Sequence, residues 1–391
     1  MDAFPDDLLW HVLSFVAKEN TDYVFSLLGV CRRWRHVSLS HMEALEFDGA
    51  RLRRSKRKQK IARALLQNII ARSKRLQDIR LRNSAIRYEE AEILKKGLVG
   101  SSQLQVLDLE GNELRNKGMS VIADLLSSVH VLDLNVSKNH CGKDAALLIC
   151  RAAASSGMTS IDLSENLIGV DGVQCIQELL KSNSSIRSIA ARWNNFLDHG
   201  AIIIASEMLC NACLERLDLA HNRIQINGAQ ALGNAIAVHP SLRELDISHN
   251  ILHPTGAKAL CDALVDSQRL VSINLDNTGL YDGGALAVAT LIKFSTSLKS
   301  VSLEQNSILL EGVESLAEAL AASTTIEYLN LSNNVFKDEG CIPLAAALPH
   351  CKSLKFISLQ QCGIESTGCA LLRVSAGAVQ MDLLNNKCGE R

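Results

Sequence analysis

The sequence predicts an α/β solenoid in which short parallel strands on the inside of a curve alternate with helices on the outside. Three observations favour this class: a period of 27 or 28 residues from Leu76 onward, alternating apolar residues early in each unit, and apolar residues at i, i+4 spacing late in it. Because one such unit cannot bury its apolar face alone, neighbouring units must stack. With 391 residues, 47% of them hydrophobic, the chain has ample material for one continuous core.

Residues 1–41 do not repeat and are predicted to form a small module of three short helices. Pro5 followed by two aspartates suits a helix N-terminus, because proline lacks the donor that would be orphaned there and acids favour the helix dipole. Apolar residues at helical spacing follow, in FPDDLLWHVLSFV and VFSLLGVCRRWRHV. A segment this short cannot enclose so many large side chains, so the repeats or a partner protein must cover the remainder.

This segment resembles an F-box, the module by which receptor subunits of ubiquitin ligases dock on the Skp adaptor of a cullin scaffold. The matching residues include the Pro5 helix start, its leucines and the Val-Cys-Arg-Arg-Trp string. The resemblance implies adaptor contacts at Pro5, Leu8, Leu9, Val12, Leu13, Val30 and Cys31. Phe4 and Gly29 depart from the family, which has leucine and a larger apolar residue there. The alternative is a helical cap that only seals the first repeat.

Residues 42–75 are predicted to be a basic linker with an irregular N-terminal capping repeat. Leu45 and Phe47 alternate as in a strand, and the run RLRRSKRKQK follows them. Residues 51–82 hold thirteen Lys or Arg and one acid, although the whole chain has a net charge of −1. The run is open to three interpretations: a nuclear import signal, a patch for an acidic partner, or a solvated loop that balances acidic repeats. Nucleic acid is not an expected partner, because no aromatic residues are interleaved with the basic ones.

Residues 76–391 are divided into units that open with the string LxxLxLxxNxL. In the unit at Leu242, Leu245 and Ile247 alternate with polar residues, which predicts a strand. Asn250 closes that strand, where its amide can satisfy backbone groups of adjacent turns. Gly256 follows six residues later and indicates a close approach, and apolar residues four and eight positions beyond it predict a helix. The units begin at Leu76, Leu104, Val131, Met158, Ile186, Leu214, Leu242, Leu270, Leu298, Ile326 and Leu354, with a shorter last step to Ala378.

These units resemble leucine-rich repeats of the long, ribonuclease-inhibitor-like subtype. The resemblance covers Leu76 to the C-terminus and implies a right-handed horseshoe with the parallel sheet inside, the helices outside and protein binding on the concave face. After Ala378 the strand-like AVQMDLLNN is followed by no helix. An uncovered strand edge invites pairing, which leaves open a longer chain or a covering partner.

The register also predicts which side chains face the concave side. Aspartates form a stripe there, Tyr328 and Phe356 share one slot in successive repeats, and His221 and His249 share another. Trp, Tyr and Arg are common anchors of protein interfaces. We therefore expect a protein substrate to bind at Asp108, Asp162, Arg192, Trp193, Asp218, Asp246, Tyr328 and Phe356. The alternative is partial burial of these side chains against adjacent strands.

No residue pattern predicts a catalytic centre, a cofactor or a metal. The histidines lack a paired nucleophile, no glycine-rich phosphate loop is present, and Cys210-Asn-Ala-Cys213 has no second pair at metal-ligand spacing. Twelve cysteines are scattered, some at apolar repeat positions such as Cys150, Cys175 and Cys261, which is typical of unpaired thiols in a reducing compartment. Since no stretch of 18 apolar residues or basic leader exists, we expect a soluble cytoplasmic protein, with nuclear import open.

Together the two resemblances imply the substrate-recognition subunit of a cullin-type ubiquitin ligase, not itself an enzyme. Its partners would be the Skp adaptor, through it a cullin, and a protein substrate. Two alternatives remain: a repeat scaffold or inhibitor unconnected with ubiquitin, and a GTPase-activating protein like the Ran-directed family, which shares this repeat subtype. The absence of a long acidic tail counts against the last.

Overall fold

The computed structural model describes residues 43–51, 56, 59–60, 63, 66–70 and 75–388. The expected adaptor contacts lie outside these residues: Pro5, Leu8, Leu9, Val12, Leu13, Val30 and Cys31. The chain divides into two compact units. Unit 1 runs up to Leu167 and includes Gln174–Ile186, and unit 2 comprises Ile168–Val173 and the residues from Arg187 onward.

In its described residues, unit 1 is a sheet of parallel strands whose connections carry helices. Each strand pairs with the next one along the chain, from β1 with β2 to β4 with β5. The strands are β1 (Ala44–Asp48), β2 (Asp78–Arg82), β3 (Val106–Asp108), β4 (Asp133–Asn135) and β5 (Ser160–Asp162). The helices are α1 (Tyr88–Leu98), α2 (Arg115–Leu126), α3 (Lys143–Ala154) and α4 (Gln174–Ser182), and consecutive helices pack together.

Unit 2 repeats the same arrangement over more strands. Neighbouring strands again pair in parallel and in chain order. The strands are β6 (Ser188–Ala190), β7 (Arg216–Asp218), β8 (Glu244–Asp246), β9 (Ser272–Asn274), β10 (Ser300–Ser302), β11 (Tyr328–Asn330), β12 (Phe356–Ser358) and β13 (Gln380–Asp382). The helices are α5 (Leu197–Met208), α6 (Ile226–Val238), α7 (His253–Leu264), α8 (Tyr281–Phe294), α9 (Leu310–Ala322), α10 (Lys337–Ala347) and α11 (Ser366–Ser375).

The predicted alternation of strand and helix is confirmed in both units. The three-residue strands β3 to β12 bury their central side chain, such as Leu217 or Leu245, against the apolar face of the helices. The helix residues predicted for the core are buried as well, with Leu260 and Leu264 at 0% and 1% exposure. The core of each unit therefore lies between the sheet and the row of helices.

A ladder of buried asparagine side chains joins successive repeats. The Nδ2 of Asn250 donates to the carbonyl oxygens of Leu219 at 3.0 Å and Ile247 at 2.8 Å. Its Oδ1 accepts the N–H groups of Asn222 at 3.0 Å and Ile224 at 2.9 Å in the preceding repeat. One amide thus satisfies backbone groups of two turns that would otherwise be buried without partners. The same arrangement recurs at Asn112, Asn166, Asn222, Asn306, Asn334 and Asn386.

A second contact links repeats in pairs, because a carboxylate in one repeat caps the helix of the next. The Oδ1 of Asp282 accepts the N–H of Leu309 at 2.7 Å, just ahead of α9. A Cβ on Gly312 would lie 2.6 Å from that oxygen, so a glycine is needed for the approach. The cap pairs are Asp198 with Gln225, Asp282 with Leu309 and Asp338 with Glu365.

Pro254 stands where the cap-donating repeats have aspartate and offers no carboxylate. The capped helices α6, α9 and α11 begin after a residue in extended conformation. By contrast α8, which follows the Pro254 repeat, begins after Leu280 in helical conformation, with Tyr281 at a φ of 49°. The Pro254 repeat therefore donates no cap to the helix that follows it.

Two cysteines depart from the expectation of unpaired thiols. Cys369 of α11 and Cys388, which follows β13, form a disulfide with a Cα–Cα distance of 5.4 Å. Cys150, Cys175 and Cys261 are free and buried, as expected, and burial raises the pKa of Cys261 to about 12. The disulfide ties the end of unit 2 to its last helix.

Replacing Asn250 with alanine should lower the free energy of unfolding by on the order of 3 kcal/mol, because buried N–H and carbonyl groups lose their partner. The matched control is Asn227→Ala at an exposed position of α6, where the change should stay below about 0.5 kcal/mol. Urea unfolding followed by circular dichroism measures both variants. Equal losses would show that the ladder adds nothing beyond helix and strand propensity.

Replacing Cys388 with serine should loosen the end of unit 2. The disulfide closes a loop with a sequence separation of 19 residues, for which the lost constraint is worth roughly 3 kcal/mol. Amide hydrogen exchange should accelerate in β13 and remain unchanged in β8, and a reductant should produce the same change in the unsubstituted chain. Unchanged exchange in β13 would mean that strand pairing alone holds it.

Candidate functional site

The sheet of unit 2 has a face free of helices, here called the open face. Because side chains alternate along a strand, the first and third residues of each strand lie on this face, while the central residue of β6 to β12 is buried. The first residues are Ser188, Arg216, Glu244, Ser272, Ser300, Tyr328, Phe356 and Gln380. The third residues are Ala190, Asp218, Asp246, Asn274, Ser302, Asn330, Ser358 and Asp382.

Two of the expected substrate contacts belong to unit 1 and are engaged internally. Asp108 is 3% exposed, and its Oδ2 accepts the Nε–H of Arg82 at 2.6 Å. Asp162 accepts the N–H of Ser164 at 2.8 Å. Asp108 therefore offers little surface to a partner protein, and its place in the acidic stripe reflects its structural pairing.

In unit 2, Trp193 begins a stack of three rings. The indole lies 3.8 Å from the His221 ring with an interplanar angle of 14°, and His221 lies 3.9 Å from His249 at 10°. The side chain of Asn277 closes the row, with its Nδ2 3.0 Å from Nδ1 of His249. Trp193 is 55% exposed, so this ring stack presents a flat aromatic surface to solvent.

The ring stack exists because its members share a slot, the residue before the ladder asparagine. Trp193, His221 and His249 all adopt left-handed φ values, of 54° to 55°. Sequence analysis placed the two histidines at one slot but did not connect that slot with Trp193, although each of the three residues immediately precedes its asparagine. Counting positions from the asparagine, rather than from the strand, assigns all three rings to the same slot.

Beside the ring stack, Arg192 pairs with Asp218 through a hydrogen bond from Nε to Oδ2. Burial raises the pKa of Asp218 to about 6, and the neighbouring charge of Asp246 adds to this effect, while Arg192 opposes it. Asp246 accepts the N–H of Ser248 at 2.9 Å and the side-chain amide of Asn274 at 3.2 Å. Arg192, Trp193, Asp218 and Asp246 therefore form one cluster.

Tyr328 and Phe356 form the other expected cluster. Their ring centroids lie 5.4 Å apart with an interplanar angle of 2°, and both residues are half-buried. Burial raises the pKa of the Tyr328 hydroxyl, and the charges of Asp276, Glu304 and Asp382 raise it further. The aromatic pair thus lies next to carboxylates that sequence analysis did not single out.

An open groove of about 720 Å³ borders Phe356 at the edge where the strands begin. On its wall Glu327 accepts hydrogen bonds from the ammonium groups of both Lys299 and Lys355, which lowers the pKa of the carboxyl to about 2. Lys352 lines the same groove and is exposed. The groove lining therefore holds three lysines and one carboxylate, and the groove is net positive.

The expected surface in unit 2 is therefore two clusters rather than one. Trp193 follows β6 and Tyr328 lies on β11, five strand spacings away, which corresponds to roughly 24 Å. A partner that contacts both must cover several repeats. Within the described residues, no group of three or more His, Cys, Asp or Glu could hold a metal ion. In the same part of the chain, no helix is long and apolar enough to cross a membrane.

Comparison with known proteins gives the repeats their identity. The leucine-rich repeat family matches residues 100–123, 210–233, 238–261 and 322–345, so the chain contains leucine-rich repeats. The mouse capping protein, Arp2/3 and myosin-I linker protein 2 is 30% identical over 55% of this chain and 17% of its own length. Human NACHT, LRR and PYD domains-containing protein 5 is 26% identical over 40% of this chain and 14% of its own. The chain thus spans less than a fifth of these relatives.

Two solved structures are similar to this chain at low sequence identity. The leucine-rich repeat-containing protein LegL7 from Legionella pneumophila is 18% identical, with 68% of this chain and 88% of that one covered at a TM-score of 0.48. A chain from the yeast Rad7 and Elc1 complex is 12% identical, with 97% and 96% covered at a TM-score of 0.49.

Replacing Asp218 with asparagine should stabilise the chain at neutral pH. The pKa is about 6 in the folded chain and about 3.9 when unfolded, so this group's contribution to stability falls as pH rises between those values. The variant should gain on the order of 2 kcal/mol at pH 7 and almost nothing at pH 4. Chemical unfolding at both pH values measures this, with Asp262→Asn on exposed α7 as control. A loss at pH 7 would mean that pairing with Arg192 outweighs burial.

Proposed function

We propose that this chain is the substrate-recognition subunit of a cullin-type ubiquitin ligase. Its N-terminal segment docks on the Skp adaptor, and the open face of unit 2 binds a protein substrate. Other subunits of the ligase transfer ubiquitin, so the chain itself supplies binding and positioning.

The observation that carries the substrate-binding half is the exposed ring stack beside an arginine. Trp193 keeps 55% of its surface exposed although aromatic residues are only 4% of the chain. Exposing a large aromatic surface is unfavourable in water, and Trp with Arg is a frequent anchor pair in protein interfaces. Arg192 lies directly beside it, held by Asp218. A partner protein that covers the ring stack would bury this surface.

The docking half rests on the N-terminal sequence and its resemblance to an F-box. Pro5, Leu8, Leu9, Val12 and Leu13 match the first helix of that module. Val30 and Cys31 belong to the string that precedes Trp34. The family match covers repeats alone, which favours a second candidate, a leucine-rich-repeat scaffold that binds proteins without a ligase.

Two sets of variants should separate the two halves. Leu9→Ala with Leu13→Ala should reduce co-purification of the Skp adaptor at least about tenfold, because two apolar anchors are lost, and should leave other captured proteins unchanged. Trp193→Ala with Arg192→Ala should reduce the capture of other proteins and leave co-purification of the Skp adaptor unchanged. Quantitative mass spectrometry of the tagged full chain from cells measures both sets of partners.

The matched control is Leu209→Ala with Leu286→Ala, which removes two leucines of unit 2 that are each more than half exposed, one just after α5 and one in α8. It should change neither group of partners. Failure to recover the adaptor with the unsubstituted chain would overturn the ligase proposal and leave the scaffold. Adaptor capture with substrate capture insensitive to Trp193 would move the binding surface elsewhere.

A further inference from the structure

The open face of unit 2 has opposite charges at its two edges. Where the strands begin, basic residues outnumber acidic ones; where they end, the reverse holds. At the first edge lie Arg187, Arg216, Arg243, Lys299 and Lys355 with Glu215, Glu244 and Glu327. At the second edge lie Asp218, Asp246, Asp276, Glu304 and Asp382 with Arg192.

The contrast is sharpest over β10 to β13, where an aromatic pair separates the two edges. Lys299 and Lys355 pair with Glu327 in the groove beside Phe356, and Lys352 lines the same groove. Two of these lysines share one carboxylate, so positive charge remains available to an anionic group. Attraction of this kind is worth most where the groove wall excludes part of the water.

The carboxylates at the other edge are held by neutral donors. Asp276 accepts the hydroxyl of Ser302 at 2.6 Å, and Glu304 accepts the amide of Asn330 at 3.1 Å. Asp382 accepts the amide of Gln360 at 2.6 Å. In the described residues none of these three carboxylates forms an ion pair with Lys or Arg, so their negative charge is available to a cationic side chain.

We propose that β9 to β13 bind an extended protein segment that lies along the strand direction and carries an acidic residue at one end, an apolar residue in the middle and a basic residue at the other. The acid lies over Lys299 and Lys355, the apolar side chain on Phe356 and Tyr328, and the base among Asp276, Glu304 and Asp382. This inference rests on the proposed function of unit 2 as the substrate-binding unit and names the chemistry of its partner.

The opposite charges of the two edges and the distance between them determine which kind of partner fits. A uniformly basic segment would meet the lysine groove, and nucleic acid would bring phosphates to the acidic edge. From Lys355 to Gln360 the strand and its turn span five residues, or roughly 16 Å at the rise of an extended chain. The acidic and basic residues of the partner should therefore be about four to six positions apart.

Selection of phage-displayed random 12-residue peptides on the full chain tests this proposal. Peptides enriched on the unsubstituted chain should carry the acid–apolar–base pattern at that spacing. Lys299→Glu with Lys355→Glu should enrich a base in place of the acid, and Asp276→Asn with Glu304→Gln should abolish the preference for the base. Phe356→Ala should weaken the best synthetic peptide at least about tenfold in fluorescence anisotropy.

The matched control is Phe294→Ala, which removes a 58% exposed phenylalanine from the helix side of unit 2 and should leave peptide affinity unchanged. If the double lysine variant does not fold, judged by its thermal midpoint, Lys352→Glu tests the same groove. Enriched peptides without the pattern, affinities insensitive to these variants, or no enrichment would overturn the proposal. Adaptor co-purification is measured separately, so failure here is distinguishable from failure of the ligase proposal.

Discussion

The fold depends on the buried asparagine amide, which forms hydrogen bonds with backbone groups of two adjacent turns. Asn250, for example, donates to carbonyls of its own and the preceding repeat and accepts N–H groups of that preceding repeat. A buried peptide group without a partner is costly, and these turns lie too deep for water to serve. The amide therefore sets the spacing between neighbouring strands and keeps equivalent positions of successive repeats in line. Where the slot holds Thr278 or Cys362, the N–H still reaches the next asparagine, so the ladder continues.

This alignment creates the open face of unit 2. Residues at the same slot lie one strand spacing apart, so rings such as Trp193, His221 and His249 stack although 28 residues separate them along the chain. The stacked slot also requires left-handed backbone, which non-glycine residues adopt at an energetic cost. Interactions that stabilise the fold thus determine which side chains a partner can contact. The hydrogen bonds of the asparagine ladder offset the cost of the left-handed backbone at the stacked slot.

Sequence reasoning recovered what periodicity encodes and missed what depends on individual contacts. The strands, the ladder asparagines, the close-approach glycines and the stacking of Tyr328 on Phe356 all follow from register, because a repeat places equal positions side by side. The hydrogen bond from Arg82 to Asp108 depends on one side chain of a neighbouring strand, which no periodic rule specifies. The pairing of Cys369 with Cys388 depends on where the chain turns after β13. The lysine groove escaped notice because its members lie just outside the strands.

The helix caps have a consequence for how such a chain can change length. The carboxylate of Asp198, Asp282 or Asp338 caps the helix of the following repeat, so the two repeats form a structural pair of about 56 residues. Deleting one repeat of such a pair would leave either the carboxylate or the backbone N–H without its hydrogen-bond partner. The repeat with Pro254 caps no following helix. Within unit 2 it is therefore the repeat that can be deleted or duplicated without separating a cap from the helix that it caps.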